Sequence, residues 1–430
     1  MEKHNYVPIQ LVAEAMREVG PLTTIRKIDD LMQLIKNGFP ELGYLPMHLG
    51  NPSSRTPKEL IMYEKMALDL GVTSFYAPSY GFNDLNVVCA DFVHKFVGTK
   101  SSSILQTLGG AHASWESMAA LQRLSGSSKN AMIIFTPAFP VHMLQAKTLG
   151  IRTIPFEFPD FRGDKLEAAL EEILKKENGG VHSILYSNPS NPTWFCLTPE
   201  ELETIANLAE KYGVVVMEDL AYFCMDFREK LGILGAQYQP SVSNYTDNYL
   251  LFFSGSKIFS YPGGRFGFIV MGDQLAKKKI GSNTLYREIA LCDTAVTVSS
   301  APSASQKAML YYLGDINSGK IDFIQPLKEE YESKAKAIRE LFEKHGFPVL
   351  YDDDCGRPLA NGFYFTSFHP HLSGNQVAEK FPPFGMSVTP VEMCWGKRQG
   401  FRVCTASIKL EQLSILDERL GSFVCDYPTN

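Results

Sequence analysis

The sequence predicts an α/β protein, with a mainly parallel sheet covered by helices on both faces and a smaller α+β unit beside it. Three observations carry that expectation. Short β-rich runs alternate with helical patterns between about residues 100 and 270; the intervening stretches place apolar residues at helical spacing; and after residue 320 the pattern changes. The runs AMIIF (131–135), SILYS (183–187), GVVVME (213–218), NYLLFFS (248–254) and FGFIVM (266–271) read as buried strands. Between them lie ASWESMAALQRL, DKLEAALEEILKK and TPEELETIANLAEKYG. The last opens as a helix should, with Thr198 as cap, Pro199 in the first turn and Glu201 near the positive end. Strands that alternate with helices imply a mainly parallel sheet buried on both faces.

Residues 326–345, PLKEEYESKAKAIRELFEKH, form a long charged helix with Ala335, Ile338, Leu341 and Phe342 on one stripe. Beyond it NGFYFTSF and FRVCTASI read as strands of the α+β unit. The expected division is a large domain over residues 50–320 and a small one built from 1–49 and 321–430. No internal repeat or low-complexity tract is visible. In an open α/β sheet, ligands bind at the carboxyl ends of the strands, so chemistry is sought there.

Composition narrows the function classes. The 430 residues are 45% hydrophobic and 20% charged, an ordinary globular balance that allows a sizeable core. A net charge of −6 gives no electrostatic footprint for nucleic acid or an anionic membrane, so neither is an expected partner. The first twenty residues lack an apolar stretch behind a basic head, and no apolar run approaches the roughly 20 residues that span a bilayer. Eight scattered cysteines, never closely paired, read as reduced and mostly buried thiols of a cytoplasmic enzyme. Among nine histidines only His369 and His371 are close neighbours; with Pro370 between them and no Cys or carboxylate nearby, no metal site is expected.

The strongest chemical signal is SGSKIFSYPGGRFG, residues 254–267. Most lysines are solvated surface groups. Lys257 instead follows a buried run, stands beside Ser254 and Ser256, and precedes Arg265 on a Pro-Gly-Gly turn. A buried lysine has a lowered pKa and can form an imine with an aldehyde. Two hydroxyls and a guanidinium suit a phosphate ester. The segment resembles the S-x-S-K…P-G-x-R-x-G signature of fold-type I pyridoxal-phosphate enzymes, in particular the class I/II aminotransferase family. The resemblance runs from about residue 40 to 405 in the family's order.

That resemblance implies a seven-stranded large domain and pyridoxal 5′-phosphate as cofactor, with Lys257 as its Schiff-base anchor and Ser254, Ser256 and Arg265 on its phosphate. In VVVMEDLAY, a D-x-x-Y that alone would be only a strand-to-loop turn, Asp219 matches the carboxylate on the pyridine nitrogen and Tyr222 the phenol near the ring oxygen. SNPSNPTWFCLTPEEL, from Ser187, resembles N-P-x-N-P-T-G; Asn191 matches the residue that bonds the ring oxygen. Here the chain departs from the family, because Trp194 stands in place of the glycine, and a crowded substrate mouth is expected. In QTLGGAHASWESMAAL, from Gln106, a Gly-Gly turn precedes a helix; Gly110 and Ala111 are the backbone candidates under the phosphate and His112 an added contact. TPAFPVH (136–142) points to Phe139 as the ring stacked on the cofactor, ahead of His142 as a buttress for Asp219, with core packing the alternative for both.

Arg402 in GFRVCTAS is an odd residue for a strand, since an unpaired buried charge is costly. It matches the family arginine that clamps the substrate α-carboxylate; a structural ion pair is the alternative. HLGNPSSRTP (48–57) and FYAPSYGFNDL (75–85) place Gly50 near that carboxylate and Tyr76 on the cofactor phosphate of a neighbouring subunit, which implies a homodimer. The implied activity is transfer of an amino group between an L-amino acid and a 2-oxo acid, with Lys257 as anchor and proton carrier, in amino acid metabolism and biosynthesis. Elimination, replacement, cyclisation or oxidation would use the same residues. Trp194, and the lack of an obvious second arginine ahead of SSAPSASQ, lean away from a dicarboxylate substrate. A sensor built on an aminotransferase-like domain is disfavoured, because the stretch before residue 48 is short and not basic.

Overall fold

The computed structural model describes residues 6–126 and 128–429. The chain divides into two compact units: residues 54–190 with 196–327, and residues 1–53 with 191–195 and 328–430. The placement of 191–195 with the second set is not something the strand and helix pattern around it announces.

The larger unit is built on a seven-stranded sheet. Its strands lie in the order Ser103–Thr107, Gly267–Met271, Tyr249–Ser254, Val215–Leu220, Val181–Ser187, Ala131–Thr136 and Arg152–Glu157. Gly267–Met271 runs antiparallel to both its neighbours, and the other pairings are parallel. Helices Gly110–Ser125, Leu166–Lys176 and Pro199–Tyr212 occupy the stretches between strands. Thr198 makes a reciprocal capping box with Glu201, and Pro199 sits in the first turn. One buried apolar cluster joins Leu105, Ile134, Leu185, Met217, Phe252 and Ile269 from six strands to Met118 and Leu121 of helix Gly110–Ser125.

Two strands escaped the sequence. Ser103–Thr107 carries Gln106, buried and bonded through Nε2 to Asn86 Oδ1 at 2.9 Å, and so does not read as apolar. Arg152–Glu157 is an edge strand, where Pro155 and exposed polar residues are tolerated because one row of backbone groups needs no partner.

The carboxyl ends of the parallel strands share one edge of the sheet. Because Gly267–Met271 is reversed, its amino end lies at that edge too, with Gly267 in register with Thr107 on one side and Ser254 on the other. The turns that follow Thr107, Thr136, Leu220 and Ser254, and the turn that precedes Gly267, therefore converge.

The smaller unit holds helices Ile9–Val19 and Ile25–Gly38, which pack Val12, Ala15, Ile28, Leu31 and Ile35 together. It also holds an antiparallel three-stranded sheet, Tyr364–Ser367, Phe401–Cys404 and Thr389–Pro390, with Phe401–Cys404 central. Leu45–Pro46 pairs in parallel with Met386–Ser387. Along helix Gln325–Lys344, Ala335, Ile338 and Phe342 are buried and Leu341 partly so.

None of the eight cysteines is in a disulfide; Cys89, Cys224, Cys394 and Cys404 are buried, and Cys292 and Cys425 are exposed, so burial is less general than expected. His369 receives backbone N–H groups of His371 and Leu372 on Nδ1, at 3.0 and 3.2 Å. Among the described residues no helix is long and apolar enough to cross a membrane.

Candidate active site

In the larger unit the Gly-Gly turn leads into helix Gly110–Ser125, whose first turn carries the positive end of the dipole, with His112 N and Ala113 N bonded to Gly109 O, both at 3.1 Å. The turn lies directly over the reversed strand. A Cβ on Gly267 would stand 2.6 Å from Gly109 Cα and 2.7 Å from Phe253 O, so only glycine lets the two backbones approach. Arg265, two residues earlier at φ 51°, reaches across to donate to Leu108 O at 2.6 Å and to Pro262 O at 3.0 Å. Gly110 faces Ser254: a Cβ there would meet Ser254 Cβ at 3.4 Å and Asp219 Oδ1 at 3.9 Å. Ser254 closes its strand and accepts from Ser256 N at 3.4 Å, opening the turn Gly255–Ile258 that carries Lys257. Lys257 is half-buried on that turn.

Asp219 is the last residue but one of the neighbouring parallel strand and is 6% exposed. Its Oδ1 accepts from Ala221 N at 3.0 Å, while Oδ2 lies 3.3 Å from His142 Nε2 and 3.5 Å from Ser187 Oγ. His142, 2% exposed on helix Pro140–Thr148, meets Phe139 edge-on at 5.4 Å between ring centroids. Tyr222 is buried just past the strand.

This unit fits pyridoxal phosphate. One end gathers a helix N-terminus, two serine hydroxyls and a guanidinium, the donors a phosphate dianion needs. The other end presents a buttressed carboxylate, the group that keeps a pyridine nitrogen protonated, and an amine stands on the turn after Ser254. Tyr76 differs from all these in being 86% exposed.

His112 was expected as a polar contact, but its partner was not. Its Nε2 is 3.3 Å from Oε1 of Glu116, one helical turn on, and 3.5 Å from Thr297 Oγ1. Glu116 is fully buried, and burial pushes its carboxyl up to about 8, while burial with Arg265 nearby pushes His112 down to about 4. The pair is therefore neutral at pH 7. The signal available in sequence was the i,i+4 spacing, which puts both on one helix face.

In the smaller unit Arg402 is 2% exposed in the central strand. It donates from Nη1 to Asn191 Oδ1 at 2.9 Å and from Nη2 to His48 O at 2.6 Å and Thr389 Oγ1 at 3.3 Å. Its guanidinium carbon lies 4.5 Å from the centre of the Tyr364 ring. The Tyr364 hydroxyl also abuts Gly50, where a Cβ would collide with it. Gly50, Asn191 and Arg402, named separately from sequence, thus share one unit.

Trp194 does not crowd an opening. It is wholly buried at φ 63°, parallel to Phe363 at 6.4 Å and edge-on to Tyr364 at 6.0 Å. The indole fills the place a side chain on residue 362 would take, and that residue is Gly362.

The sequence model of the family described as aminotransferase class I and II matches residues 44–420. The chain is 26% identical over 344 residues to an aspartate aminotransferase of Pyrococcus horikoshii, covering 78% of each. It is 22% identical over 341 residues to aromatic-amino-acid aminotransferase 2 of Thermococcus litoralis, covering 79% of this chain and 80% of that one. The fold superposes on a double mutant of the Thermus thermophilus aspartate aminotransferase with a TM-score of 0.76 at 18% identity, over 95% of this chain and 98% of the other.

Proposed function

Because the chain belongs to the class I and II aminotransferase family, we propose that it moves an amino group between an L-amino acid and a 2-oxo acid, with the residues below in the stated roles. It is a pyridoxal-phosphate-dependent transferase of the aminotransferase type. The observation that carries the role assignment is the meeting, within one unit, of the buttressed Asp219, the Gly109–Gly110 turn and the turn bearing Lys257.

Pyridoxal phosphate, when bound, supplies an aldehyde that condenses with amines and a ring that accepts an electron pair. This chain's residues do the rest. Gly110, Ala111, His112, Ser254, Ser256 and Arg265, joined by Tyr76 of a second copy, hold the phosphate. Phe139 stacks on the ring. Asp219, kept in place by His142 and the Ala221 N–H, holds a proton on the ring nitrogen, and Tyr222 and Asn191 bond the ring oxygen. Lys257 is both anchor and the base that moves the substrate α-proton. Arg402 holds the α-carboxylate in a planar fork beside Gly50. The large domain is read as residues 50–320, with 1–49 and 321–430 as the small one.

The working unit is a homodimer in the cytoplasm, serving amino acid biosynthesis. Exposed Phe75 and Tyr76, at 77% and 86%, with Ile61, Met62 and Leu68 exposed on helix Lys58–Asp69, support a covering partner. Eight cysteines, none in a disulfide, fit a reducing compartment. The two curated relatives act on different amino acids by name while matching to similar degree, so neither substrate transfers to this chain.

Incubating the holoenzyme with one L-amino acid and no acceptor tests the reading. Stoichiometric conversion of bound cofactor to pyridoxamine phosphate is expected. Continuous product formation without an oxo acid would instead mean elimination or replacement and would overturn transamination.

A further inference from the structure

Arg402 is held in part by the backbone carbonyl of a buried histidine, His48. The carbonyl of His48 accepts from Arg402 Nη2 at 2.6 Å and from Thr389 Oγ1 at 3.1 Å. That carbonyl lies in a turn two residues before Gly50; backbone bonds from Cys404 N to Met47 O at 2.8 Å and from Leu49 N to Pro46 O at 3.4 Å hold its neighbours, and the His48 side chain adds a grip on the residue itself. The His48 imidazole is 0% exposed. Its Nδ1 lies 2.7 Å from Ser387 Oγ, in the short strand paired to Leu45–Pro46. Its Nε2 points at Asp29 Oδ1, 3.6 Å away on helix Ile25–Gly38, longer than a formed hydrogen bond but within range of attraction.

We propose that His48 is a positioning residue for the substrate α-carboxylate: gripped by Ser387 and oriented by Asp29, it fixes the carbonyl that sets the plane of the Arg402 fork. The proposal rests on the reading of Arg402 as the carboxylate clamp. A bidentate fork is direction-sensitive, because two parallel N–H groups must meet two oxygens together. Asn191 Oδ1 fixes one Nη and the His48 carbonyl the other, so the plane is set by two acceptors on opposite ends of the guanidinium.

The imidazole acts as a neutral wedge. Burial pushes its pKa down, the Asp29 carboxylate offsets that in part, and the Arg402 charge adds to the depression. A neutral ring with its proton on Nε2 gives that proton to the Asp29 side and leaves Nδ1 to accept from the Ser387 hydroxyl. The arrangement therefore links helix Ile25–Gly38 to the carboxylate-binding arginine through one side chain.

The test compares L-alanine with ethylamine, the same skeleton without the carboxylate. Each is mixed in large excess with holoenzyme, and the second-order rate of loss of the cofactor's absorbance is measured. In His48→Leu the preference for L-alanine over ethylamine is expected to fall about tenfold, the worth of a weakened hydrogen bond to a charged group, with the loss in the L-alanine rate. His48→Asn, which keeps a polar atom at the Nδ1 position, is expected to recover most of the preference. Asp29→Asn is expected to lower it by a smaller factor, and carries the test alone if His48→Leu does not fold.

Arg402→Met separates the two readings. If it leaves the preference unchanged, Arg402 is not the clamp and the underlying assignment fails. If it collapses the preference while His48→Leu and Asp29→Asn keep the parent ratio, the clamp stands and the positioning role of His48 is overturned.

Discussion

Replacing Trp194 by the glycine that the family uses at this place should weaken the protein. Glycine is free to adopt the observed φ of 63°, which costs a side-chain-bearing residue about 1–2 kcal/mol. Set against that relief is the loss of a wholly buried indole packed on Phe363 and Tyr364. Truncating a buried Trp costs about 3–5 kcal/mol when the neighbours relax only in part. The difference leaves Trp194→Gly destabilised by about 1–4 kcal/mol. Urea unfolding of the holoenzyme, followed by circular dichroism, would read this as a lower midpoint. Gly362→Ala should also destabilise, because its Cβ would strike the indole; combined with Trp194→Gly, it should cost far less than the two separate losses together. Equal or higher stability of Trp194→Gly would refute the account, since backbone strain would then outweigh packing. Strict additivity of the pair would refute the contact.

Three more outcomes are expected. Lys257→Ala should abolish turnover and the absorbance of covalently held cofactor, and ordinary activity in that variant would defeat the role of anchor and proton carrier. Asp219→Asn should lower the half-reaction rate at least about a hundredfold while phosphate-end binding persists, because an amide does not hold a proton on the ring nitrogen; single-turnover kinetics with equilibrium dialysis of the cofactor would show whether the two effects separate. Glu116→Gln should become more stable relative to the parent as pH rises from 5 to 8. The folded carboxyl titrates at about 8 against 4.5 when unperturbed, so between those values the unfolded chain sheds a proton that the folded one keeps. The parent loses stability across that window, by up to roughly 4–5 kcal/mol, and the glutamine variant does not. Parallel melting-temperature profiles for parent and variant would be incompatible with a buried neutral carboxyl.

The sheet was legible wherever a strand is buried on both faces, because such a strand writes its environment into an apolar run. AMIIF and SILYS each lie within an observed strand that is extended at one end, and NYLLFFS overruns its strand by one residue. The two strands that went unread obey other constraints. Gln106 belongs to a buried strand because Asn86, twenty residues away, supplies its hydrogen bond. Arg152–Glu157 is at the edge, where one side needs no apolar partner. Neither condition is local, so neither leaves a local mark.

The same distinction separates the two groups of candidate residues, one in each unit. Lys257, its serines and Arg265 are strung along twelve residues, between two adjacent strands. The group around Arg402 draws on Asp29, His48, Asn191, Ser387 and Arg402, five separate stretches. Arg402 was still visible, because a guanidinium between apolar strand residues must be paid for by a partner or a ligand. His48 raised no such alarm. A neutral imidazole buried beside a hydroxyl violates nothing, and Asp29 on a mixed helix reads as solvated. A residue that only aims another can thus be silent in sequence for the reason that makes it useful: all of its contacts are ordinary, and only their direction matters. Where His48→Leu folds, it should for that reason shift substrate preference while leaving cofactor content close to the parent's, and loss of preference only in proportion to lost cofactor would mark the residue as simple packing.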